Sequence, residues 1–340
     1  MFDQPLPLTE RLKLALAEDI RDGDVTANRF VSADATATAH VVAKQTGVFS
    51  GGYIYPVLFA VAGAKVRIEK SFPVLAGMTS QVGGDAPISD PLIRDAVQQM
   101  ITAQPALPDA PVVSISFDSP SPAFVRPGDR LMTLKGPARL LLSCERVGLN
   151  LIARMSGVAT LTRQFADACL PLKPQVLCTR KTTPLWRDIE RQAVLDGGGS
   201  LHRAGLYDMA LIKENPLRSR EDKRAAAERL DDPAFRGKVS GSPVPVEIEV
   251  ETMDEFRAAL NAEPDFILLD NMDLKDMTDA VALRNERFAA AARRPLLEAS
   301  GNVSLATIAA IARTGIERIS VGSLTHSVKA LDMSLMFSIG

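Results

Sequence analysis

Arg180 and Lys181 stand side by side in "CTRKTTP" (178–184), directly after an apolar lead-in. A guanidinium forks onto a carboxylate or phosphate and an ammonium adds a movable point charge, so the pair suits a ligand with several negative charges. Further along, "GGGSLHRAG" supplies His202 and Arg203, and "LIKEN" supplies Lys213. Two carboxylates follow, Glu249 in "EIEVET" and Asp270 in "LLDNM". Such a pair can hold a hard cation such as Mg2+ or stabilise a developing positive sugar carbon. Lys213 reads either as a charge for an anion or as a Schiff-base lysine. "EASGN" and "SVGSLTHS" add Ser300, Gly301 and Gly322, where glycines leave backbone N–H groups open to phosphate.

Taken singly, each has a plainer reading. An Arg–Lys pair is commonly a solvated rim, a lone histidine is commonly packed, and Glu247 and Glu249 share a face by ordinary strand alternation. What separates them from background is recurrence at the ends of successive apolar runs.

Those runs are "VLCTRKTT", "MALIKEN", "VPVEIEVET", "FILLDNM", "LLEASGN" and "RISVGSL". Helical stretches intervene: "TMDEFRAALNA" opens on a capping box at Thr252 and Glu255, and "SLATIAAIARTG" closes at Gly315. Strand–helix alternation predicts parallel strands with crossover helices. About six units favour an α/β barrel, whose strand C-termini converge on one face, over an open doubly wound sheet. Upstream, leucine spacing predicts a helix over 8–19 with Thr9 as N-cap, and alternation predicts strand structure within 35–52. A short helix follows at "YPVLFAVAG". Residues 66–112, rich in Pro, Gly and Asp with a helical piece near 91–103, read as an irregular insertion. The change of texture near 115–130 divides the chain into 1–130 and 131–340.

The 340 residues are 46% hydrophobic and 24% charged, ordinary for a globular protein. Lys+Arg number 39 against 41 Asp+Glu, so no basic excess draws in nucleic acid or anionic lipid, and any anion site must be local. Cys144, Cys169 and Cys178 lack metal-type spacing and read as reduced thiols. There is no signal-peptide pattern at the N-terminus, and no apolar run reaches the roughly 18–20 residues of a membrane span. A cytoplasmic location is expected.

"ERVGLNLIARMSGVATLT", "TRKTTP", "GGGSLHRAGLYD", "LIKEN", "EIEVET", "LLDNM", "EASGN" and "ISVGSLTHS" occur in an order and spacing that resembles the quinolinate phosphoribosyltransferase family. "AEDIRDGDVTA" and "KQTGVFSGG" match as well, so the likeness runs over nearly the whole chain outside 66–112. It implies transfer of the phosphoribosyl group of phosphoribosyl pyrophosphate to quinolinate, with Mg2+, giving nicotinate mononucleotide, pyrophosphate and CO2 in NAD biosynthesis. It implies an N-terminal open α/β sandwich domain, with the C-terminal segment returning to it, and a homodimer with shared active sites. Arg180, Lys181, His202, Arg203 and Lys213 would line the quinolinate pocket, with Arg146 reaching in from the neighbouring subunit. Glu249 and Asp270 would hold Mg2+ and the ribose, and Ser300, Gly301, Gly322 and His326 the phosphate end. Lys213, Glu249 and Asp270 are the catalytic candidates.

The chain departs from the family pattern at Glu214 (Asp in the family), Pro216 (His), Leu185–Trp186 (Gly–Leu) and Leu201 (Asn). These leave two alternatives: a paralogous phosphoribosyltransferase for another aromatic acid, of the type found with molybdate-transport genes, or a non-catalytic ligand-binding homologue.

Overall fold

The computed structural model describes residues 5–70, 90–102, 109–213, 238–239 and 242–339. Glu214, Pro216 and most of the 66–112 insertion (71–89 and 103–108) lie outside the described residues. In chain order the first elements are α1 (Leu8–Ile20), α2 (Val25–Phe30), β1 (Thr36–Ala43), β2 (Gly47–Phe49), α3 (Ile54–Val61) and β3 (Lys65–Lys70). Then come α4 (Pro91–Thr102), β4 (Val112–Phe117), β5 (Ala123–Val125), β6 (Arg130–Pro137) and the long α5 (Ala138–Ala168). They are followed by β7 (Gln175–Leu177), α6 (Arg187–Asp196), β8 (Ala210–Ile212), β9 (Lys238–Val239), β10 (Ser242–Pro243) and β11 (Val246–Val250). The rest are α7 (Met253–Asn261), β12 (Phe266–Asp270), α8 (Leu274–Arg287), β13 (Leu296–Ser300), α9 (Ile308–Arg313), β14 (Arg318–Ser320), α10 (Ser323–His326) and β15 (Met333–Ile339).

Two compact units result: 1–161 with 182–197 and 328–340, and 162–181 with 198–327. In the first, a five-stranded sheet runs β15-β1-β6-β4-β3, antiparallel except for β3 with β4. Alternate residues of β1 and β4 are buried, the period-2 signature of a sheet with one packed face. Helices α1, α3 and α4 pack on one another through Leu8, Leu12, Leu58, Ile93 and Val97. The C-terminal strand β15 closes the β1 edge of the sheet, and the chain leading into it lies so close to α5 that a Cβ on Gly157 would collide with the Lys329 carbonyl.

The helix predicted over 8–19 forms as α1, but Thr9 is not its cap. Pro7 holds the N-cap position with no side-chain cap bond, and Thr9 lies inside the first turn. Leu8 is fully buried, which draws the start of the helix back into the core.

The second unit holds six parallel strands in the order β7-β14-β13-β12-β11-β8, the α/β barrel sheet that the strand–helix rhythm predicts. Its strands read as apolar runs ("FILLD", "LLEAS") because both faces are covered. Thr252 caps α7 by accepting the Glu255 N–H at 3.3 Å, while Glu255 reaches back to the Glu251 N–H at 2.9 Å. Gly315, at φ +88°, follows the end of α9. On the outer edge of β7, Ser200 bridges to Leu177, so "GGGSLHR" runs alongside that strand.

Candidate active site

Parallel register decides which side chains become neighbours. Ile212 pairs with Ile248, which brings Lys213 level with Glu249, and the Lys213 ammonium donates to Glu249 Oε2. On the next strands Asp270 pairs with Ser300, and the Asn271 N–H donates to the Ser300 carbonyl at 2.9 Å. Asn271 also donates from Nδ2 to Asp270 at 2.9 Å. Gly301 sits at φ +93°, and any Cβ there would strike the Asn271 side chain, so only glycine fits. Lys213, Glu249, Asp270 and Ser300 thus lie in succession at the C-terminal ends of β8, β11, β12 and β13.

On the other side of β13, Ser320 pairs with Leu177 and Val321 donates to the Leu177 carbonyl at 2.9 Å. Gly322 follows at once, beside the Lys181 stem and the His326 ring: a Cβ there would stand 3.1 Å from His326 Nε2 and 3.4 Å from Lys181 Cδ. Thr325 Oγ1 donates to the Lys181 carbonyl at 2.8 Å, tying α10 to the residues after β7.

Arg203 is half-buried and donates to the Met209 carbonyl at 3.2 Å. Burial and the Arg180 charge lower its pKa, against the opposite pull of Glu247, Asp208 and Glu249. Two guanidiniums held close enough to repel are a site that an anion relieves. Arg146 belongs to the first unit, on α5, with an exposed side chain 3.5 Å from Glu145. The remaining site candidates, from Arg180 to His326, belong to the second unit.

Beside these lies a buried cluster that spacing alone did not single out. His202 Nε2 is 2.9 Å from Glu247 Oε2 and 3.2 Å from Glu298 Oε1. Glu298 also accepts from Arg318 Nε at 2.8 Å and from Ser320 Oγ. Burial pushes both carboxylates up; at Glu298 its donors outweigh that and the pKa is lowered, whereas Glu247 stays raised. Burial lowers the His202 pKa, but the hydrogen bonds and charges of Glu247 and Glu298 more than offset it and carry it up to about 9. The Arg203 backbone N–H stands 2.8 Å from His202 Nδ1, so Nε2, facing two carboxylates, is the nitrogen that carries a proton throughout. The one sequence signal for this cluster was a carboxylate inside an otherwise apolar strand, at Glu247 and again at Glu298.

A pH dependence follows. The folded cluster holds a proton on His202 that the unfolded chain releases above about pH 6.5, so stability from this group is complete below that value and is lost as pH rises through about 9. The melting temperature should fall over that window, and His202→Gln should flatten the fall.

The segment after Lys181 is anchored within the first unit. Thr183 donates to Glu190 through its hydroxyl at 2.7 Å, and Arg187 donates to Thr182 at 2.9 Å. Trp186 lies under the Arg11 guanidinium, 5.2 Å from ring centroid to Cζ. Leu185 is held at φ +67° with its side chain 65% exposed. Left-handed backbone costs a non-glycine residue about 1–2 kcal/mol, and a residue so exposed recovers little of that by side-chain burial. Leu185→Gly should therefore raise stability by about 0.5–1 kcal/mol after the greater unfolded-state freedom of glycine is subtracted, read as a higher denaturation midpoint.

The Glu249–Asp270 pair, at the ends of adjacent strands with Glu249 already charge-balanced by Lys213, offers oxygen donors of the kind Mg2+ takes alongside substrate oxygens. A family model described as the C-terminal domain of quinolinate phosphoribosyl transferase matches residues 158–336. A mitochondrial quinolinate phosphoribosyltransferase (decarboxylating) of Nicotiana tabacum is 33% identical over 344 residues, spanning 96% of this chain and 81% of that one. The chain belongs to the quinolinate phosphoribosyltransferase family. The carboxylating nicotinate-nucleotide pyrophosphorylase of Mycobacterium leprae, a further similar protein, is 40% identical over 213 residues, 63% of this chain and 71% of that one. The solved nicotinate-nucleotide pyrophosphorylase of Francisella tularensis matches with a TM-score of 0.70 at 29% identity, covering 97% of this chain and 95% of that one. Every gathered residue from Arg180 to His326 falls inside the span matched by the quinolinate phosphoribosyltransferase family model; Arg146 falls before it.

Proposed function

We propose that this chain transfers the phosphoribosyl group of phosphoribosyl pyrophosphate to quinolinate with decarboxylation, giving nicotinate mononucleotide, pyrophosphate and CO2. The observation that carries this is the pairing of opposed charge sets on one barrel rim, in a chain of this family. Arg180 and Arg203 repel each other where a dicarboxylate would offset both, and Lys213–Glu249 and Asp270 stand at the C-terminal ends of other strands of the same sheet.

Quinolinate carries two adjacent carboxylates, and desolvating them without cations would cost several kcal/mol each. Arg180, Lys181 and Arg203 supply those cations and orient the ring nitrogen toward the ribose. As pyrophosphate leaves, C1 of the ribose becomes positive; the Glu249 and Asp270 carboxylates stabilise that charge. The ring nitrogen bonds to C1 and becomes cationic. The neighbouring carboxylate then departs as CO2, leaving its electron pair on the ring carbon beside the cationic nitrogen, and that carbon takes a proton. Lys213 holds Glu249 in place and adds positive charge toward the acceptor.

We assign Mg2+ to Glu249 and Asp270, where it would neutralise the pyrophosphate oxygens. Ser300, Gly301, Gly322 and His326 are assigned to the phosphate of the donor, supported by the packing of His326 and Lys181 about Gly322. A homodimer with shared sites is also part of the proposal: mixing Arg146→Ala with Lys213→Ala protein should restore activity that each lacks alone, and no recovery after subunit exchange would remove it. Three buried free thiols support a reducing compartment such as the cytoplasm. No described helix is long and apolar enough to cross a membrane.

The deciding experiment is turnover with phosphoribosyl pyrophosphate, Mg2+ and a panel of pyridine carboxylic acids. Nicotinate mononucleotide from quinolinate is the expected product; turnover of a different acid with quinolinate untouched would transfer the chain to the other-acceptor reading.

A further inference from the structure

We infer that Glu298 is a positioning residue: with Glu247 it clamps the His202 ring, and through that ring it sets where Arg203 meets the acceptor. The inference rests on the acceptor-pocket reading of Arg203 given above and adds to it the buried groups beneath.

Three donors converge on the Glu298 carboxylate, namely His202 Nε2 at 3.2 Å, Arg318 Nε at 2.8 Å and Ser320 Oγ. Arg318 is itself fixed, its guanidinium 4.2 Å above the Phe266 ring on β12 and 3.3 Å from Gln175 Oε1 on β7. Glu298 is therefore held from β7, β12 and β14 at once. It passes that constraint to a ring whose Nε2 lies 2.9 Å from Glu247 and 3.2 Å from Glu298, with the Arg203 backbone nitrogen 2.8 Å from Nδ1. These contacts favour one ring orientation and tie it to the Arg203 backbone. The charged groups facing His202 are Glu247 on β11, Glu298 on β13 with Arg318 behind it on β14, and Arg203 next in sequence. A buried ion network is weak support for stability, since desolvation offsets attraction. What it does impose is one geometry.

Glutamine at 298 keeps the size but turns one acceptor oxygen into a donor, so either Arg318 or His202 loses its partner. Glu298→Gln should raise the KM for quinolinate about tenfold or more, with the KM for phosphoribosyl pyrophosphate near its wild-type value. Ser320→Ala, which leaves the carboxylate in place, should raise the quinolinate KM by less. The chain has three histidines, so 15N-histidine NMR follows the ring directly, with His202→Gln identifying its signals. In the wild type His202 should titrate as a single site with a midpoint raised to about 9 and Nε2 protonated throughout; Glu298→Gln should lower that midpoint. If Glu298→Gln does not fold, Glu247→Gln and Ser320→Ala carry the same two readouts. Equal losses for both substrates, or an unchanged quinolinate KM beside an altered ring signal, overturn the inference while leaving the function intact. If the wild type does not turn over quinolinate, the functional reading falls, and ring signals unchanged in the variants then overturn the clamp separately.

Discussion

Arg203→Ala is expected to raise the KM for quinolinate about 100-fold or more, since two charge-assisted hydrogen bonds at about 1.5–3 kcal/mol each are lost. The KM for phosphoribosyl pyrophosphate should stay near its wild-type value, because the residues assigned to the donor lie at other strand ends. The direction of the effect has a second source. Arg203 is half-buried beside Arg180, and its pKa is lowered by burial first and by repulsion from Arg180 second. The bound dianion relieves the repulsion, so binding gains more from Arg203 than an isolated surface pair would give. Initial-rate kinetics with each substrate varied in turn make the test; matched losses for donor and acceptor would contradict the assignment of Arg203 to the acceptor. Arg203→Lys should recover little, because an ammonium cannot make the two-pronged contact.

The second large effect concerns stability. Arg11 is 4% exposed and its guanidinium donates to both oxygens of Asp188, to the Leu185 carbonyl, and lies over Trp186. Arg11→Ala leaves the Asp188 carboxylate buried and unpaired, which is expected to cost about 3–5 kcal/mol, seen as a large drop in the denaturant midpoint of the first unit. Replacing both partners together, Arg11→Met with Asp188→Leu, should cost far less, because no charge is then stranded. A double variant as unstable as the single one would show that packing, and not the stranded charge, governs this site.

The same contact explains why the family departure at Leu185–Trp186 is tolerated. Trp186 supplies the face on which the Arg11 guanidinium lies, and the Leu185 carbonyl accepts from it. Neither contact could be read from the motif, since Arg11 lies 174 residues before Leu185. The same holds for Glu298: "LLEAS" reads as a buried strand with a carboxylate in it, but its partners come from two other stretches of chain, Arg318 and Ser320 from β14 and His202 from the segment beside β7.

From the residue order alone came the strand–helix rhythm, the parallel barrel sheet, the chemistry at each strand end and the family, because these depend on local periodicity and on short collinear motifs. Caps followed the same logic where the helix obeyed its neighbours, as at Thr252, and not where a buried leucine pulled the start, as at Leu8. Folding alone decided the rest: which strand ends stand level, that His202 lies between Glu247 and Glu298, and that the returning C-terminal segment forms a strand on the β1 edge. The physical reason is that a period of two assigns each side chain to a face, whereas its partners across that face are chosen by inter-strand register. Register is settled by packing over the whole barrel, and distant residues meet only once it is made.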